Sequence, residues 1–545
     1  MGTLDLITFC GFALLVIGLG LWMGRRESSP NETARDFFLA GGSIPWWAVG
    51  GSLIASNISA EQFIGMSGSG YAMGFAIAAY ELMAAATLIL VAKFFLPIYL
   101  RNGIYTMPQF LEMRYGKGVR SGLAVFWVAL FVLVNISSVL YLGAKAIEAM
   151  GIPLIYGIGG LALYSATTSI YGGLRAVVWT EVAQVVVLLV GGLVTTWLSL
   201  DAVGHGQGPV AGFLELWRVA PEKFNLLLQP GDTFVAEPGP GQSIQMVDAW
   251  NYLPGISVLV GGMWIANLYY WGMNQYIIQR ALAAKSLPEA QRGVVFAAFL
   301  KLLVPLVVVV PGIAAYALKA PIEKYDEAYP YMMSHYVGAG FRGIAFAALA
   351  AAVGSSVSAM VNSAATIFTL DIYKPLWGRE FAADDRSAEA VAQDHRLVRV
   401  GKWASAAALL LGVAFAPMLA NLQQAFQFIQ KYTGYISPGV VVVFLFGLFW
   451  AKASARAAMM VVLLSIPLSV GLDWALPQVP FMDRMGLAFL LLSGVMAWVS
   501  LHENRRGRDP RAVEWTPGLF ATDTLFNVAA AAILAVLGAL YAFLG

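Results

Sequence analysis

The chain has 545 residues, of which 59% are hydrophobic and only 12% charged, with a formal net charge of +2. A soluble protein of this size would carry about twice that share of charge, so a string of soluble domains is excluded. So is a nucleic-acid footprint, because basic residues nowhere gather into a dense patch. A single cysteine, Cys10, excludes any intrachain disulfide.

Runs of about twenty apolar residues predict an all-α polytopic membrane protein with fourteen spans. They lie near 4–23, 44–74, 75–100, 121–149, 154–172, 175–199, 252–280, 292–318, 342–371, 398–419, 423–449, 455–475, 482–501 and 523–544. The first run carries Asp5 rather than a basic leader and is followed by Arg25 and Arg26, so it reads as a retained helix with its N-terminus outside. Most of the 33 basic residues then fall in cytoplasmic loops, among them Arg101, Arg114, Arg120, Arg280, Arg396 and Arg505. That asymmetry is the positive-inside pattern, and it puts both termini on the outer side. The outer loops 201–251 and 320–336 are expected to hold short surface helices.

The second span is interrupted by Ser56-Asn57-Ile58-Ser59-Ala60-Glu61-Gln62, and the seventh within Gly261-Gly262-Met263-Trp264-Ile265-Ala266-Asn267. Unwound backbone survives at membrane depth only where it lines a buried polar cavity. Broken helices in corresponding positions of two halves point to a transporter binding site. The stretches 44–199 and 252–450 hold five spans each, an odd number, so the second half enters the membrane inverted. The expected division is therefore 1–43 as an extra helix and loop, 44–199 as the first repeat, 200–251 as an outer loop, 252–450 as the second repeat, and 451–545 as a three-helix extension.

A charge at the centre of a span costs about 2.5–3.5 kcal/mol on insertion scales and needs a reason. Lys301 lies nine residues past Arg292, roughly 13 Å into the bilayer. Glu81, Asn267 and Gln430 also fall well inside spans. One reading is a structural Glu81–Lys301 ion pair, with the amides satisfying broken backbone. The other is a mixed donor and acceptor lining for a neutral polyol such as a sugar. Tyr270, beside the second break, could close such a cavity. Ser355 and Ser356 could face carbonyls freed by the first break and complete an oxygen cage for Na⁺, or merely bond a neighbouring helix. Four histidines without metal-ligand spacing and the lack of a phosphate loop leave no support for an enzyme or for ATP drive.

Several stretches together are similar to the sodium/solute symporter family, and within it to bacterial sodium/galactose (sodium/glucose) cotransporters. They are Ala55 to Gly65, Ala266 to Gly272, Tyr276 to Arg280, Phe299-Leu300-Lys301, Ser355-Ser356 and Phe428 to Gly434. The resemblance implies a LeuT-like 5+5 inverted-repeat core with one helix before it and three after it. It implies a Na⁺ site from the carbonyls of Ala55, Ile58 and Ala352 with the Ser355 and Ser356 hydroxyls. Gln62, Glu81, Asn267, Lys301 and Gln430 look like the sugar hydrogen-bonders, with Asn57 in support. Tyr270 looks like the inner gate, and Met66, Tyr80 and Phe426 like the outer lid. Ala84 stands where a similar sugar carrier has a serine, and Glu181 where the family has an aspartate implicated in ion handling. The expected activity is Na⁺-coupled hexose uptake across a bacterial inner membrane, by a monomer or weak homo-oligomer in the lipid bilayer. The rivals are a Na⁺ symporter of a carboxylate, amino acid or nucleobase, and, from other classes, a membrane sensor or enzyme.

Overall fold

The computed structural model describes residues 2–27, 34–148, 151–235, 246–379, 387–421, 425–503 and 507–545. Among the described residues, ten helices are long and apolar enough to cross a membrane, and a bent pair over Ala249–Val260 and Gly262–Met273 makes an eleventh. The expected spans map onto the helices unevenly: the first falls on Thr3–Glu27, the fifth and sixth run on as one helix, Leu154–Val203, and the second is divided by its break. The loop 201–251 contains the expected helix Pro209–Val219. It also holds an unforeseen antiparallel pair, Thr233–Val235 with Met246–Asp248.

The first break follows directly from its sequence. Helix Trp46–Asn57 stops where Ile58 turns to extended backbone at ψ 110°. Ser59 then restarts the chain, capping a free N–H group of the new turn and being capped in return. Its hydroxyl accepts from Glu61 N at 3.1 Å, while Gln62 Oε1 accepts from Ser59 N at 2.8 Å. A π-helical turn, Glu61–Met66, resumes the span; such wide turns are frequent at functional sites. In the second break, Gly261 is the non-helical residue, and the helices on either side of it meet at 78°. The chain leaves helical geometry again at Asn274, after a π turn over Tyr269–Met273. Asn267 itself stands on regular helix, Gly262–Leu268.

Three packed helices carry the centre of the molecule. Trp46–Asn57 with its continuation lies along Leu287–Ala317. A Cβ on Gly50 would fall 2.6 Å from the Gly293 carbonyl, and one on Gly70 2.9 Å from that of Val309. Contact partners thus rise together in number, so the two run in the same direction, and Asn57 meets Lys301 two turns beyond the Gly50–Gly293 contact. Close approach through small residues is how membrane helices associate without a hydrophobic driving force. On the other side, Phe341–Ile367 packs its Ala- and Ser-rich face against the same broken helix and is buried over most of its length.

Candidate functional site

Two polar centres meet at the first break. At one of them, Ser355 Oγ donates to the carbonyls of Ala55 and Ala352, both at 2.8 Å, and Ser356 Oγ donates to that of Ser56 at 2.9 Å. Ala55, Ile58, Ala352, Ser355 and Ser356 are all buried. The donor set consists of main-chain carbonyls and hydroxyls, hard oxygen ligands of the kind Na⁺ takes from an unwound helix. Since Ser355 is bonded to Ala55 across two helices, any cation held there would tie the broken span to Phe341–Ile367.

Behind this cluster sits Glu181, in an ion pair that the sequence did not announce. Glu181 accepts from Ser56 Oγ at 2.9 Å and from Ser52 Oγ, and it pairs with Arg280 at 2.9 Å. Both members of the pair are fully buried. Arg280 also donates to the Tyr276 carbonyl. The Glu181 carboxylate is therefore bound to two serines of the broken helix and to one arginine beyond the second break.

The other centre is a hollow lined by residues of both broken spans. Asn57, Gln62, Glu81, Asn267, Lys301 and Gln430 all line it, as do Met66, Tyr80 and Tyr270. The side chain of Phe426 lies outside the described residues. Lys301 donates to Glu81 and to the side-chain amide oxygen of Asn57, and its ammonium lies 4.9 Å from the centre of the Trp271 ring. Asn57 passes the chain on, donating to Tyr270 OH at 2.9 Å, and Tyr276 OH donates to the same phenol at 2.6 Å. Asn267 is held within its own helix, donating to the Met263 carbonyl at 3.0 Å and accepting from Trp271 Nε1 at 3.2 Å. One N–H and one lone pair of that amide remain for a solute. Gln62 spends its oxygen on the Ser59 cap, so its N–H groups are what it can offer.

The Glu81–Lys301 pair matters chemically because it presents both a donor and an acceptor with no net charge. Hydroxyls can pair with each partner, whereas a free anion would meet a lysine already neutralised. Cavity residues that sequence reasoning did not assign include Glu61, Trp271, Thr433 and Ser437, with Phe481, Met482 and Met485 from helix Phe481–Glu503. Glu61 and Trp271 adjoin the two breaks and could have been included on that ground. The extension residues carry no local signal.

The profile of the sodium:solute symporter family matches residues 37–465. A sodium/glucose cotransporter of Vibrio parahaemolyticus is 47% identical over 556 residues, covering 99% of this chain and 97% of the relative. A human sodium/myo-inositol cotransporter 2 is 33% identical, covering 83% of this chain and 67% of the relative. Among solved structures, a Na⁺-coupled sialic acid symporter in a substrate-bound outward-open state superposes with TM-score 0.75 at 21% identity, over 92% of this chain and 98% of that one. A nucleobase-cation-symport-1 family transporter superposes with TM-score 0.51 at 14% identity, over 90% and 98%. The latter two speak for a shared LeuT-like transporter fold.

Proposed function

The chain belongs to the sodium:solute symporter family, and on that premise we propose that it couples inward Na⁺ flow to uptake of a hexose such as galactose or glucose. It is an integral membrane protein working by alternating access, with Na⁺ as the co-transported ion and no covalent chemistry. One observation carries this reading: serine hydroxyls from one helix bond the carbonyls of a broken helix, one residue before an asparagine that opens on a polar cavity. Na⁺ at Ala55, Ile58, Ala352, Ser355 and Ser356 holds those two helices together and sets Asn57, Gln62 and Glu81 for the sugar. The sugar bonds Gln62, Glu81, Asn267, Lys301 and Gln430. Tyr270 closes the cavity inward, and Met66, Tyr80 and Phe426 close it outward. Loss of Na⁺ to the cytoplasm lets the helices part and frees the sugar.

The neutral Glu81–Lys301 pair supports a sugar over a carboxylate solute, since it leaves no net cation for an anion to meet. The same reading takes 44–199 and 252–450 as inverted repeats, with both termini outside and a monomer or weak oligomer in a bacterial inner membrane. One charge falling through 100 mV yields about 2.3 kcal/mol, and a tenfold Na⁺ gradient adds about 1.4 kcal/mol. Together they sustain several hundredfold accumulation at one Na⁺ per sugar. In proteoliposomes, labelled galactose or glucose should accumulate only with an inward Na⁺ gradient, and faster with the interior negative. Electroneutral uptake, or uptake indifferent to Na⁺, overturns the coupling.

A further inference from the structure

The wall of the cavity is not built by the ten core spans alone. Helix Phe481–Glu503 belongs to the C-terminal extension, yet Phe481, Met482 and Met485 from its first two turns line the hollow. Two glycines make room for it. A Cβ on Gly262, the residue after the second break, would fall 2.1 Å from the Met482 carbonyl and 3.0 Å from Met485 Cε. A Cβ on Gly434, one turn past Gln430, would meet the Phe481 ring at 3.4 Å and Met485 Sδ at 3.7 Å. The helix end is thus seated between the break that carries Asn267 and the helix that carries Gln430.

Polar bonds beside this contact fix it in place. Asp473, at the end of the preceding helix, pairs with Arg484 at 2.7 Å and with Lys431 at 2.8 Å, and accepts from Tyr435 OH at 2.7 Å. Arg484 lies next to Met485, and Lys431 next to Gln430. The extension is therefore clasped to the Gln430 helix on the flank of the cavity.

The chemistry of this wall differs from that of the polar lining. Asn57, Glu81 and Lys301 offer hydrogen bonds, whereas Phe481, Met482 and Met485 offer an aromatic edge and thioethers. Methionine sulfur and methylenes fill irregular gaps and take up apolar groups. A hexose has hydroxyls to satisfy one side and C–H surface to lay on the other. We infer that the start of the Phe481–Glu503 helix is the apolar, size-limiting wall of the solute cavity, with Met485 deciding how large a substituent the sugar can carry on that side. This rests on the hexose reading above.

The test is competition against uptake of the hexose that the unmodified protein accumulates. The competitors are that hexose and its mono-O-propyl derivatives, one for each hydroxyl. Inhibition constants are measured for the unmodified protein, Met485→Ala and Met485→Phe, each derivative as a ratio to the parent hexose in the same variant. The ratio cancels the amount of folded carrier, so a purely structural effect does not move it. One methylene in an apolar pocket changes selection roughly tenfold or more. Met485→Ala should therefore improve at least one propyl derivative fivefold or more, and Met485→Phe should worsen that same derivative. Ratios that shift less than fivefold in both variants overturn the inference. If Met485→Ala does not reach the membrane, Phe481→Leu serves in its place, read in the same way. Failure of the unmodified protein to accumulate any hexose would instead strike the underlying reading, so the two failures are distinct.

Discussion

Lys301→Gln removes the counter-charge of Glu81 in a place where both side chains are almost fully buried. Removing one partner of a buried pair costs about 3–5 kcal/mol, because the survivor is left as an uncompensated charge. The single variant should therefore unfold at markedly lower temperature in detergent. Lys301→Gln combined with Glu81→Gln replaces the pair by two neutral amides, and most of that loss should be recovered. Affinity for the sugar should not be. A hydrogen bond to a charged group contributes about 1.5–3 kcal/mol against about 1 kcal/mol for a neutral one, so exchanging two charged partners for amides costs about 2 kcal/mol. At 1.4 kcal/mol per decade this is roughly thirtyfold in Kd. The assays are thermal unfolding and equilibrium binding of labelled hexose, on both single variants and the double. A double variant that regained stability and bound hexose within threefold of the unmodified protein would falsify the role of the pair in recognition, leaving it as structural glue.

Two further substitutions probe the neighbouring contacts. Ser356→Ala deletes the hydroxyl bonded to the Ser56 carbonyl, which at about 1 kcal/mol should raise the Na⁺ concentration for half-maximal uptake roughly fivefold. An unchanged Na⁺ activation curve removes that serine from the cage. Gly262→Ala drives a methyl group into the Met482 carbonyl, and overpacking of this kind costs about 1–3 kcal/mol; a melting temperature equal to that of the unmodified protein would show that the extension does not seat there.

Much of the site was written locally. Hydropathy reports what each segment costs in lipid, so the charges at Glu81 and Lys301 and the amides at Asn267 and Gln430 stood out one by one. The first break was legible because the polar run Ser56 to Gln62 stands in the middle of an apolar span, and the second because the stretch Gly261 to Asn267 sets glycines and an amide at the same depth. Local cost says nothing about neighbours, however. Arg280 looked like a cytoplasmic loop charge, and only the fold buries it against Glu181 behind the serine cluster.

The sequence by itself determined that this chain crosses a membrane many times, where its helices fail, and which polar side chains are stranded at depth. Each of these is a property of a short stretch weighed against hydrocarbon. Tertiary structure alone decided that Lys301 satisfies Glu81 and Asn57 together, and that three residues of helix Phe481–Glu503 line the cavity. Those facts depend on which glycines let two backbones approach and which helix ends then fit the space. Such pairings join residues up to 244 positions apart, and no local pattern in the chain encodes them.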